Sequence, residues 1–89
     1  MNGYTTYEAG NTCLWIDNTY SLQYKANEIL TNIKQFTELT PCPNWTDQYK
    51  AELLANLFMM HLEQNLMTHT GDGVKYTLEN LTEYFINNL

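Results

Sequence analysis

Few residues in this chain have types that do chemistry, and their spacing gives them little to work with. His61 and His69 are its histidines, Cys13 and Cys42 its cysteines. A metal site needs three or four ligands at defined spacing. Neither a Cys-x-x-Cys nor a His-x-x-x-His spacing occurs, so His69 and Asp72, which straddle a glycine turn, read as structural. His61 lies beside Phe58 and Leu62 in helical register and reads as a packed, hydrogen-bonded side chain. A cysteine nucleophile needs a histidine base close in space, and the spacing of Cys13 and Cys42 singles out no such pair. Glu79 and Glu83 are four apart on what reads as an exposed helix face, the ordinary place for solvated charge. Thr70-Gly71-Asp72-Gly73 lacks the length and the following Lys of a phosphate loop. The expectation is a protein that is not an enzyme and uses no metal or cofactor.

Charge narrows the partners. Ten Asp and Glu against four Lys, with no Arg, leave 89 residues at -6. Arg is the preferred bidentate ligand for phosphate and for guanine, and a negative field repels polyanions. Direct nucleic-acid binding is therefore not expected, whereas a protein with a basic surface suits the field. The acids are spread singly through Glu8, Asp17, Glu28, Glu38, Asp47, Glu52 and Glu63, thin for a nucleic-acid mimic unless several converge. No apolar run reaches the roughly 18 residues of a membrane span. The first 20 positions carry neither a basic start nor an apolar run, which leads to the expectation of an intracellular chain. In that setting Cys13 and Cys42 are expected as two free thiols, with a disulfide as the alternative.

Aromatic residues are the remaining feature. Tyr4, Tyr7, Trp15, Tyr20 and Tyr24 crowd the N-terminal part, and Trp45 and Tyr49 open a later helix. Large rings fill small cores, each burying about 150–250 Å². Tyr and Trp also anchor interfaces, being stiff, large and tipped with one polar atom. A core of this size cannot enclose so many rings, so a contact region of Tyr4, Tyr7, Glu8, Trp15, Asp17, Tyr20 and Tyr24 is expected.

Three helices must position these residues. The first spans about 18–39, capped by Asp17, Asn18 or Thr19, with Leu22, Ala26, Ile29, Leu30, Ile33 and Phe36 as its apolar stripe. Thr40-Pro41-Cys42-Pro43 stops it. The second starts on Asn44 or Thr46 and runs to about Thr68. It is apolar round most of its circumference, so residues 53–67 are expected either at the centre of the fold or at a contact between copies of the chain. The third begins on Thr77 and carries Leu78, Leu81, Phe85 and Leu89 along one side. Residues 1–16 show no clear helical period, and Cys13-Leu14-Trp15-Ile16 reads equally as a short strand or a first helical turn. The whole reads as one domain (1–89), all-α or mostly α: a three-helix core with an aromatic N-terminal segment and, near the Gly-Asp-Gly turn, room for a short β-ribbon.

Tyr7, Glu8, Asn11, Leu14, Trp15, Ile16 and Asn18 together resemble the opening of a family of small bacteriophage proteins. That opening runs Tyr-Glu-x-x-Asn-x-x-Leu-Trp-Ile-x-Asn, with a later Tyr in the region of Tyr24. Gly10 stands where the family has Trp, and Thr19 and Tyr20 replace an acidic pair. The likeness covers under a quarter of the chain. It implies a phage accessory protein that binds and inhibits a host protein, as an anti-CRISPR or anti-restriction factor, by steric blockade or by assembling a multimer. Two other expectations stand beside it: an oligomeric sponge for a nucleotide signal, and a structural virion or assembly component. The matched residues themselves read as structural, with Leu14 and Trp15 toward the core and Asn11 and Asn18 capping or turning the chain, or equally as a pocket in which aromatic faces stack on a base.

Overall fold

Threonines open three of the four helices. In the computed structural model, which describes residues 4–39 and 45–89, the chain forms α1 (Tyr7–Asn18), α2 (Tyr20–Leu39), α3 (Asp47–Gln64) and α4 (Leu78–Ile86). The hydroxyls of Thr6, Thr46 and Thr77 accept from the backbone N–H of Ala9, Tyr49 and Asn80, each at 3.1 Å. Each satisfies one donor that a helix start leaves open. Thr19 lies between α1 and α2, and its carbonyl accepts from Gln23 at 2.9 Å, the first bond of α2. The chain is mostly helical as expected, with four helices instead of three. The proline-bearing stop at 40–43, the Asn44 cap and Cys42 lie outside the described residues.

The helices pack as a ring: α1 on α2, α2 on α3, α3 on α4 and α4 back on α1. The α3–α4 contact is the most extensive. Ala51, Leu54, Ala55, Phe58 and Leu62 of α3 are buried against Leu81, Tyr84 and Phe85 of α4. Phe85 meets Phe58 edge-on at 5.8 Å and Tyr84 at 5.1 Å, the arrangement that ring quadrupoles favour. From α2 come Leu22, Ala26, Ile29, Leu30 and Ile33, and from α1 comes Ile16. α3 is thus one side of the ring, packed on α2 and α4 and not on α1, and Leu57 and Met60 remain exposed on it.

The structure corrects four local expectations. Residues 7–18 are a full helix, although Gly10, Asn11 and Thr12 are poor helix formers in its middle. Their burial explains the outcome, because packing overrides propensity. Phe36, placed in the core stripe, is 45% exposed, and its ring stacks on Trp45, 5.4 Å away. Leu78 is also exposed, and Tyr84 takes the core place on α4. The second helix ends at Gln64 and not near Thr68. There the N–H of Met67 bonds the Leu62 carbonyl (2.8 Å) and that of Leu66 bonds Glu63 (3.1 Å), the paired closure of a Schellman motif. Leu66 sits at the left-handed position with φ 55. Of the β-ribbon only a single antiparallel bridge forms, His69 to Lys75.

Candidate functional site

Asn11 and Trp15 of α1 hold the glycine turn. Tyr7, Asn11 and Trp15 are four apart and so lie along one strip of α1. Asn11 is buried. Its Nδ2 donates to Asp72 Oδ2 at 2.7 Å, and its Oδ1 accepts from the Thr70 hydroxyl at 2.7 Å. Thr70 Oγ1 in turn accepts from the backbone N–H of Asp72 (3.2 Å) and Val74 (3.1 Å). Trp15 Nε1 donates to the same Asp72 oxygen at 2.9 Å, and its six-membered ring covers Gly71. A Cβ at Gly71 would stand 2.2 Å from the nearest ring carbon, so only glycine fits there. Gly73, at φ 85, supplies the left-handed step. The Trp15 indole and then the Asn11 amide hold the Asp72 carboxyl below its usual range. Asn11 is thus neither a cap nor a turn residue; it cross-links two distant segments. Asn18 does serve the end of α1, its Nδ2 bonding the Leu14 carbonyl at 2.8 Å.

A second cluster joins α1 to α4. Asp17 accepts from the Tyr84 hydroxyl at 3.1 Å and from the Cys13 thiol at 3.4 Å, and the Tyr4 hydroxyl meets the same thiol. Burial pushes the Cys13 thiol up, the Tyr4 contact offsets part of this, and Asp17 pushes it further up. Burial, with Asp17 beside it, also raises Tyr84. Activated cysteines need the reverse, a lowered pKa beside a positive group or a base. Nearby, the Thr5 hydroxyl donates to Glu83 Oε1 at 2.7 Å and the Thr5 N–H lies 3.2 Å from Oε2. Glu83 is therefore engaged and half-buried, not a freely solvated carboxylate.

The third location is an open groove between α2 and α3. At one end Tyr20, Tyr24, Lys25, Glu28, His61 and Met67 line a cleft of about 480 Å³. The groove continues between Ile29, Asn32 and Phe36 of α2 and Leu57 of α3, a further 260 Å³. Tyr20 is 80% exposed, Tyr24 62%, Phe36 45%, Leu57 42% and Met60 55%. Tyr20 and Phe36 stand ~24 Å apart along α2 at 1.5 Å per residue, and at 3.6 residues per turn the row of every fourth residue between them winds about 160° round the helix. Large apolar side chains left in water along a groove mark a place where something docks.

The expected contact region therefore divides among three places. Tyr20 and Tyr24 share the groove. Trp15 stands over the glycine turn, Tyr7 is exposed with its hydroxyl 3.5 Å from the Asn11 amide, and Glu8 is exposed in the first turn of α1. Tyr4 and Asp17 belong to the cluster on Tyr84. Leu57 and Met60 fall within residues 53–67, the segment expected to be central or interfacial, and with Leu66 they are its exposed large apolar side chains. Phe36 and Glu28 were missed as groove residues, because period alone places Phe36 with the core stripe. The i, i+4 row Tyr20, Tyr24, Glu28, Asn32 and Phe36 winds about 160° round α2, so no single helical face marks them in the sequence.

Among the described residues no three His, Cys, Asp or Glu side chains gather to hold a metal ion, and no helix is long and apolar enough to cross a membrane. Set against models of protein families, curated proteins and solved structures, the chain gives no match.

Proposed function

We propose that the chain is a protein-binding module whose α2–α3 groove receives a basic partner, and that it acts by covering part of that partner's surface. The observation that carries this is the set of exposed large side chains Tyr20, Tyr24, Phe36, Leu57 and Met60 along the open α2–α3 groove. Such an arrangement suits an amphipathic helix laid into a groove, anchored through side chains three, four and seven residues apart. A net charge of -6 speeds encounter with a basic protein and discourages polyanions. The same field, together with Glu28 in the cleft wall, weighs against a nucleotide ligand there. With the likeness of its opening to small phage proteins, this supports an inhibitor of a host protein, an anti-CRISPR or anti-restriction factor working by steric blockade.

The test is capture of partners from host lysate by the wild-type chain and by a Leu57→Glu, Met60→Glu variant. Both positions are solvent-facing, so the variant keeps its circular dichroism and melting temperature. Wild type is expected to retain one stoichiometric basic protein that the variant loses. Equal recovery by both, or recovery of no stoichiometric partner, sinks the proposal.

A further inference from the structure

We propose that the Tyr20–Tyr24–Glu28 row of α2 is an anchor for an arginine side chain on the basic segment that enters the groove. The inference rests on the docking role given above and names what one end of the groove takes. Residues four apart stand above one another on a helix, so two phenol rings and a carboxylate form one strip facing the cleft. The Tyr20 and Tyr24 ring centres are 6.3 Å apart, with their planes 32° from parallel. Ring faces attract cations, and a carboxylate accepts a guanidinium through two parallel hydrogen bonds. Met67, which also lines the cleft, gives the alkyl stem of the arginine an apolar surface to lie on.

Glu28 is at present paired with Lys25 at 3.0 Å, and both side chains are partly exposed. Exposed pairs of this kind hold weakly. A planar, forked guanidinium that also stacks on phenol outcompetes a flexible ammonium for the same carboxylate, leaving Lys25 free to turn to solvent. An anion has no comparable welcome, since it would face Glu28 and the overall negative field. The chain itself contains no arginine. A second copy therefore cannot supply the anchor, and the occupant is a different, arginine-bearing protein.

The test uses amide chemical shifts of the intact ¹⁵N-labelled protein titrated with an amphipathic helical peptide, leucines along one face and arginines on both flanks. A second peptide carries lysine at every arginine, and a third carries citrulline, its neutral analogue. Expected is that the arginine peptide shifts Tyr20, Tyr24 and Glu28 together with Leu57 and Met60. Binding should weaken about fivefold with lysine and about tenfold with citrulline. It should weaken about fivefold in Glu28→Gln, a solvent-facing change, and in the Tyr20→Ala, Tyr24→Ala pair. Equal affinity for the arginine and citrulline peptides, or an unchanged Glu28→Gln, overturns the anchor. Shifts at Leu57 and Met60 without shifts in the row also overturn it and leave the docking face standing. No shift at either place overturns both.

Discussion

Trp15 and Gly71 are made for each other. The six-membered ring of the indole occupies the room that the missing Cβ of Gly71 leaves, and its Nε1 is tied to the next residue, Asp72. Gly71→Ala is expected to cost roughly 1–3 kcal/mol, the range for forcing an extra carbon into a packed contact. In a Trp15→Ala background the same change should cost almost nothing. Urea denaturation of the four proteins of this cycle checks it. Additive costs would show that the ring does not rest on Gly71.

Acid should loosen the same turn. Asp72 has a lowered folded-state pKa, owed first to Trp15 and then to Asn11. The stability it contributes is therefore complete above the unfolded carboxylate range, near pKa about 3.9. It is lost as pH falls through that range to the lower folded value. Melting temperatures between pH 7 and pH 2 should fall less steeply for Asp72→Asn than for wild type over the acidic part. Parallel curves would remove Asp72 from the account.

Leu66 offers the opposite kind of change. It holds the left-handed position at the end of α3 with φ 55, and its side chain is in solvent. Leu66→Gly removes a strained Cβ and no packing, so a gain of about 1 kcal/mol is expected. A lower melting temperature for the glycine variant would contradict this.

Cys13 should be a slow nucleophile. Burial raises its pKa, Tyr4 lowers it in part, and Asp17 raises it again, so the thiol stays protonated near neutral pH. In a Cys42→Ser protein, iodoacetamide should label Cys13 much more slowly than it labels the urea-unfolded chain at pH 7.5. Asp17→Asn should quicken the reaction. Equal rates folded and unfolded would be the refuting result.

The fold was legible where period and caps agree. Leu22, Ala26, Ile29 and Ile33 mark α2, and Thr46 and Thr77 start α3 and α4 where the sequence places them. It was illegible where a helix depends on distant partners: Gly10, Asn11 and Thr12 argue against α1 until Thr70 and Asp72 arrive to hold Asn11. The end of α3 was missed because a leucine occupies the position where glycine usually announces a stop. Aromatic excess pointed to a contact surface, and Tyr20 and Tyr24 lie on the candidate groove. Trp15 was distinguished from them only by its place over Gly71, a contact across most of the chain that no local pattern encodes.

That placement of α1 has a consequence for the order of events during synthesis. The helix is made before the other three, yet it is short and poor in helix formers, and a dozen such residues do not hold a helix alone. Of its partners, α2 follows directly, but the Thr70–Asp72 turn and α4, its more extensive contact, come only after α3. The packing of α1 is therefore incomplete while α2 and α3 emerge, and is completed only once Tyr84 and Phe85 have been made. Until then Ile16 and the buried face of α1 are unprotected, so chains halted before α4 are the form of this protein most exposed to proteolysis and aggregation.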